Sequence, residues 1–396
     1  MRKLKLLVAA GFMLAGLPYV AALAQTQRPE VRIGVVLAAS GGAASIGLPE
    51  RAGAALAQEK FEQADLPFTI KFISYDDASD PTKATNAVRR LINEDQVHFV
   101  VCCTTTPSSL AVVDTLQNAT LPSVTLAVAV ATIEPVDQRK YAFKASVTDR
   151  MVMQAMLDEV QRRQFTQVAG VFADDSFGES GLNLIKGLAP EVGVDLTTSE
   201  RVARTDTNFT PQALRVRQSN PEVVYIHAYA PASVLMQDAL RRVGYSGLII
   251  QSQASSSTDF LALGGAGLEG TMVISTPVVL HNNLPTDTPD RVALDEFVNA
   301  FEARYGAGKA DDLAAMGWDA VHVAVAAAIH AVDKGEDFSN VGPAREAIAA
   351  AMIDMKPLYT TLGPIDFTPE DHVGIDRTIA LRIAVVRQGK FTLQEP

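Results

Sequence analysis

Short apolar runs rich in β-branched residues recur along this chain, and they alternate with segments whose apolar residues fall every three or four positions. Residues 31–37, 69–75, 98–101 and 123–126 have the first character. Between them the period lengthens to that of an amphipathic helix. The clearest helix opens at Asp80-Pro81, an N-cap residue followed by a proline suited to the first turn, and sets Ala84, Ala87, Val88, Leu91 and Ile92 on one face. A helix with a single apolar stripe covers a sheet. Strands and helices in alternation predict βαβ units with parallel strands.

The same grammar restarts after about residue 147. It predicts a helix over 151–163, a strand over 168–172, a helix from Gly178, a strand near Asp195, a helix opened by Thr210-Pro211 and a strand over 223–226. Ala232, Leu235, Met236, Ala239, Leu240 and Val243 then share a helical face that stops at Gly244, ahead of a strand over 248–250. Residues 277–355 read as mostly helical, in segments 291–305, 313–332 and 343–352, and the tail reads as a strand over 378–386. Two copies of one architecture, with no Pro/Ser-rich linker or charge block between them, predict an α/β protein of two Rossmann-like lobes with parallel sheets.

The first residues change the picture of where such a protein works. Arg2, Lys3 and Lys5 precede an apolar run over 6–15, and Ala22-Leu23-Ala24 follows, the order of a secretory signal and its cleavage site. Pro18 and the polar residues 25–28 keep the run short of the roughly 18 to 20 apolar residues of a spanning helix. Cleavage near Ala24 and release into the periplasm are expected, with no cysteine there to carry a lipid. The most apolar later stretch, 320–332, contains His322 and His330 and suits a buried helix rather than membrane insertion. Of the 34 Lys plus Arg, 31 remain after the leader against 45 acids, a net charge of −14 that disfavours nucleic acid and anionic lipid as partners.

Catalytic chemistry finds no foothold in this pattern. The six histidines, at 98, 227, 281, 322, 330 and 372, form no HExxH motif, and His322 and His330 lie about 12 Å apart along a helix, too far to share a metal. Gly264-Gly265-Ala266-Gly267 follows no strand and reads as a loop. The two cysteines, Cys102 and Cys103, are adjacent, where a bridge closes a strained ring, so free thiols are expected. Neither an enzyme, a metal nor a cofactor is expected.

Six short motifs, in order and with consistent spacing, then bear on function: Ile33-Gly34-Val35, Tyr75-Asp76-Asp77-Ala78-Ser79-Asp80-Pro81, Phe143-Lys144-Ala145-Ser146, Asp174-Asp175-Ser176-Phe177-Gly178, Thr207-Asn208-Phe209-Thr210 and Gly363-Pro364-Ile365-Asp366-Phe367. Together they resemble the branched-chain amino-acid-binding (leucine-binding-like) family of ABC-transporter periplasmic proteins, over nearly the whole mature chain. The resemblance implies a type I periplasmic binding fold with a three-segment hinge near residues 147, 277 and 353. Lobe 1 would comprise 28–147 plus 278–352, and lobe 2 would comprise 148–277 plus 353–396. It also implies a monomer that closes on a small molecule and delivers it to an inner-membrane ABC permease. A soluble sensor handing its ligand to a membrane receptor is the competing class.

Ligand in this family lies between the lobes, at the carboxyl ends of the strands. The loop containing Thr104, Thr105 and Thr106 follows the strand ending at Val101; its hydroxyls and exposed amides either hold a ligand carboxylate or simply cap a helix over 109–117. Ala127 and Ala129 occupy the next loop, where the resemblance implies a final hydroxyl that Ala129 lacks. Phe177 and Tyr229 match aromatic positions that face ligand from the second lobe, and Arg150 at the first crossover is either a charge for the carboxylate or a solvated helix-start residue. Gln253 stands where amino-acid binders carry an acid for the ligand ammonium. Burying an ammonium without that acid costs about 3 to 5 kcal/mol, or about two to four decades of affinity. A small carboxylate without an ammonium, aromatic before aliphatic, is therefore the expected ligand, unless Asp259 or an acid of Asp174-Asp175 reaches the same place; a branched-chain amino acid or amide is the alternative.

Overall fold

The computed structural model describes residues 28–286 and 291–394; the leader and its expected cleavage site lie outside them. The first half runs β1 (Glu30–Val36), α1 (Ala44–Glu62), β2 (Thr69–Tyr75), α2 (Pro81–Asn93), β3 (Phe99–Cys102), α3 (Thr106–Asn118), β4 (Ser123–Thr125) and β5 (Ala142–Lys144). Its five strands pair in the order β2-β1-β3-β4-β5, all parallel. The second unit continues with α4 (Asp149–Arg162), β6 (Gln167–Ala173), α5 (Ser176–Glu191), β7 (Asp195–Val202), α6 (Thr210–Gln218), β8 (Val223–His227), α7 (Ala232–Arg242), β9 (Leu248–Gln251), α8 (Thr258–Gly264) and β10 (Met272–Ser275). The chain then returns through α9 (Arg291–Tyr305), α10 (Asp312–Asp333), α11 (Val341–Asp354), the hairpin β11 (Leu358–Thr360) and β12 (Gly363–Ile365), α12 (Arg377–Ala380), β13 (Arg382–Arg387) and β14 (Lys390–Leu393).

The second sheet, ordered β14-β13-β10-β9-β8-β6-β7, is parallel except at the β13–β14 edge, where both strands are antiparallel to their neighbours. Gln388 and Gly389, both left-handed, form the tight turn of that terminal hairpin. The expected tail strand over 378–386 is shorter than the pattern suggested. Asp376 caps the nitrogen of Thr378 and starts a helical turn first, so the strand opens at Arg382.

Local chemistry places the helix starts. Asp80 accepts from the backbone nitrogens of Thr82 and Lys83, and Ala84, Val88 and Leu91 of α2 are buried on the sheet. Asp175 caps α5 in the same way, through the nitrogens of Phe177 and Gly178. Helix α3 begins at Thr106, three residues before the expected start, because Thr105 serves as its cap and Pro107 fits its first turn.

Two helices without a strong apolar stripe form the spine of the first lobe. Helix α10 is long and apolar enough to cross a membrane, but every residue from Asp312 to Val321 is buried in protein. It packs against α1 backbone to backbone. A Cβ on Gly53 would land on the carbonyl oxygen of Ala314, and one on Gly317 would land on that of Glu50.

The chain from Thr361 to His372 stays with the first lobe. Asp319 of α10 accepts from the nitrogen and hydroxyl of Thr361, and the His372 ring stacks on Phe143 at 4.1 Å while its carbonyl accepts from the nitrogen of Lys144. The chain rejoins the second sheet at β13, and β14 extends its edge. Cys102 and Cys103, expected as free thiols, are instead bonded to each other at the end of β3, with their Cα atoms 3.1 Å apart.

Candidate functional site

Four chain segments of the first lobe and two of the second meet around a small enclosed cavity. Ile46 and Glu50 come from α1, Thr104 from the loop after β3, Leu126, Ala127 and Val128 from the loop after β4, and Leu313 and Met316 from α10; Tyr229 and Gln253-Ala254 face them from the loops after β8 and β9. These loops leave the carboxyl ends of their strands, where open α/β sheets bind ligands. The cavity measures about 20 Å³, enough to hold a water molecule. A surface groove of about 440 Å³ along α4 and β13 is larger. It is open to solvent, and its Arg162 and Arg377 are already paired with Glu159 and Asp158. Enclosure between two lobes, rather than size, marks the site.

The threonine loop divides its work. The Thr104 hydroxyl accepts from the nitrogen of Ala38 at 3.0 Å and donates to Glu50 at 2.6 Å, which uses its one hydrogen. Thr105 is the helix cap, while the buried Thr106 hydroxyl lies beside the Tyr229 hydroxyl of the second lobe. Ala127 lines the cavity, and its carbonyl accepts from the ammonium of Lys144, which burial pulls down to about 7. Ala129 lies behind the cavity wall, where its carbonyl accepts from the Thr132 hydroxyl.

On the opposite wall the rings are layered. Tyr229 lines the cavity, Phe177 packs behind it at 4.6 Å, and His227 stacks on Phe177 at 3.9 Å. Burial holds His227 neutral, with its titration pushed down to about 3, and the Tyr225 hydroxyl meets its Nδ1 at 2.9 Å. The Arg204 guanidinium lies over the Tyr229 ring at 4.1 Å and pairs with Asp175 at 2.6 Å. Arg204 was not anticipated from sequence, because nothing in its surroundings at 203–206 suggested that its chain would fold back over an aromatic.

Gln253 lines the cavity and contributes a neutral amide, its Nε2 lying 3.7 Å from the Met316 sulfur across the cleft. Behind it, Gln251 donates to Gln237, which donates to Thr271, so the loop is held by buried amides. Arg150 is spent elsewhere, in a two-pronged pair with Glu134 at 2.9 and 2.8 Å. Asp259 and Asp174 are exposed, and Asp175 is engaged by Arg204. An acid nevertheless lines the cavity. Glu50 is fully buried, and burial, opposed by the Thr104 hydrogen bond and reinforced by Asp77, raises its carboxyl from 4.5 to about 8.

A cleft closed by two α/β lobes, lined by loops from both and reached by several crossings of the chain, defines a binding protein that encloses its ligand. The chain belongs to the periplasmic binding protein family, whose model matches residues 30–390. It is 23% identical to a Leu/Ile/Val-binding protein homologue of Brucella melitensis over 86% of this chain and 87% of that one. Among solved structures, an extracellular ligand-binding receptor of Rhodopseudomonas palustris HaA2 is 28% identical with a TM-score of 0.85, over 92% of this chain and 99% of the other. A solute-binding protein of an ABC transporter from R. palustris, solved in complex with benzoate, is 18% identical with a TM-score of 0.77, over 92% and 95% of the two chains.

Proposed function

We propose that this protein is exported, captures a small organic carboxylate between its lobes and presents it to an ABC permease. The observation that carries the reading is the composition of the enclosed cavity: apolar side chains from both lobes, one aromatic face at Tyr229 and a neutral amide at Gln253. Apolar walls with a few convergent polar groups suit a flat or branched body with one charged end. The benzoate complex of a protein with the same fold supports an aromatic acid. The second reading is a branched-chain amino acid, supported by the Leu/Ile/Val-binding relative.

Closure requires a hinge, and we place its first two crossings near 147 and 277. Contacts of Thr361 and His372 with the first lobe support a third crossing after residue 372, later than the 353 expected from the resemblance. The leader is proposed to be cleaved near Ala24. Intact mass of the periplasmic protein should correspond to a start at or near Gln25, and a mass that includes residues 1–24 would contradict export by cleavage.

A thermal-shift panel of benzoate, hydroxybenzoate, hydroxycinnamate, leucine, isoleucine, valine and an amide separates the ligand classes. A ligand at 100 times its dissociation constant stabilises by about 2.7 kcal/mol, on the order of 3 to 4 °C for a chain of this length that unfolds as one unit. Aromatic acids are expected to give the largest shift. A strong shift with leucine or valine and none with the aromatic acids would overturn the carboxylate reading in favour of the second one.

A further inference from the structure

Glu50 is the charged-type side chain that the cavity places in a ligand's path, and its two oxygens have different surroundings. Oε2 receives the only hydrogen of Thr104, since the Thr104 oxygen already accepts from Ala38. Oε1 is buried without a partner, on a residue that lines the cavity. An orphaned oxygen at such a place is either an ionised acceptor waiting for a cation or a protonated donor waiting for an anion, and the neighbours distinguish the two.

No cation faces it. On α1 the adjoining Arg51 turns away to the carbonyls of Leu37 and Tyr75. Helix α10 brings Leu313 and Met316; its acids point elsewhere, Asp312 to Thr276 and Asp319 to Thr361. The loop after β3 brings Thr104, and the second lobe brings Tyr229 and Gln253. The one ionisable neighbour that bears on it is Asp77, from the loop after β2, and its charge is of the same sign. Lys144, the buried ammonium on the far side of Ala127, is committed to the Ala127 carbonyl and near Asp149.

We propose that Glu50 faces the cleft as a neutral carboxylic acid whose Oε1 hydrogen is donated to the ligand's carboxylate, making it the residue that admits anions and refuses an ammonium. This rests on the carboxylate reading above and deepens it, for it supplies the strong donor that Thr104 cannot. An O–H donated to a carboxylate oxygen is among the shorter and stronger hydrogen bonds. An ammonium at the same place would meet a donor and would require Glu50 to lose its proton in a buried setting. The raised titration of Glu50, about 8, agrees with the geometry and fixes the sign of the pH effect. Below that pH the donor is present and affinity is flat. Above it Glu50 ionises and repels the anion, and affinity falls about tenfold per pH unit.

Calorimetry with benzoate from pH 6 to 10, a range in which benzoate stays ionised, tests this on the intact mature protein. The wild type should hold a constant affinity to about pH 8 and lose it above. Glu50→Gln keeps a donor without a titration, so it should bind benzoate within several-fold of wild type at pH 7 and show no decline from 8 to 10. An equal decline in both proteins would overturn the role of Glu50 while leaving the carboxylate reading in place. Leucine binding that Glu50→Gln abolishes, with no heat from benzoate at any pH, would overturn both. Carbon-13 NMR of the glutamate-labelled wild type is independent of whether the variant folds. Glu50 should titrate near 8 and move higher with benzoate bound, and titration in the ordinary carboxylate range would overturn the proposal.

Discussion

Phe177→Ala should lower the stability of the protein by about 3 to 5 kcal/mol, the usual cost of removing a fully buried ring, yet weaken ligand binding by only about tenfold. The difference in size follows from the layering of the second-lobe wall. Phe177 is 1% exposed and is enclosed between His227, 3.9 Å away, and Tyr229, 4.6 Å away, so its deletion leaves a void inside the lobe rather than in the cleft. His227 suffers as well. Its neutral ring, held at about 3 by burial, loses the stacking partner that shields it. The loss at the cleft is indirect, through a Tyr229 that is still covered by Arg204 but no longer backed by a ring. Urea unfolding and calorimetry with the best ligand of the panel measure the two effects. A stability within 1 kcal/mol of wild type together with lost binding would mean that Phe177 touches ligand directly.

Gly317→Val should be at least as damaging, costing about 3 kcal/mol or more, at the upper end of what overpacking a core does. Most small-to-large changes are softened because a neighbouring side chain can turn aside. Here the obstacle is the backbone carbonyl of Glu50, which is fixed by its own helix. The helices α1 and α10 must separate, and the cavity is built on both: Ile46 and Glu50 ride on one, Leu313 and Met316 on the other. Weaker binding is thus expected alongside the lower melting temperature. Gly342→Ala is the control, because a Cβ there meets nothing within 4 Å. Thermal melts of both variants that coincide with wild type would refute the close packing of α1 on α10.

The two-lobed α/β architecture was legible because its elements announce themselves. Helix α2 carries a cap, a proline and a stripe, and the bounds of α9 at 291–305 follow from its period. Helix α1 was not legible. Its buried face includes Gly47, Gly53, Ala54 and Ala57, so it docks through backbone rather than through large apolar side chains, and no hydrophobic period arises. That omission also hid Glu50, which lies 54 residues before the threonine it contacts and looks like any helix-surface acid. The neutral amide at Gln253 could be read from sequence; that a different acid would enter the same cavity from the other lobe could not. Likewise the threonine loop was recognisable as polar chemistry at a strand end, but which hydroxyl caps, which serves Glu50 and which lies beside Tyr229 depends on distances of a few tenths of an ångström.

The size of the cavity has a kinetic meaning. The enclosed cavity, at about 20 Å³, is smaller than the volume that any carboxylate of several heavy atoms displaces. If the cavity takes the ligand as proposed, capture is expected to begin on a molecule whose lobes have parted. The measured affinity is then the intrinsic affinity scaled by the fraction of molecules that are open. Direct contacts between the lobes, such as the Ser45 hydroxyl donated to the Ala230 carbonyl at 3.0 Å and the approach of Gln253 to Met316, are expected to lower that fraction. Loosening them would raise the rate of capture and the rate of escape together, so the residues that hold the lobes shut govern how fast cargo turns over as well as how tightly it is held.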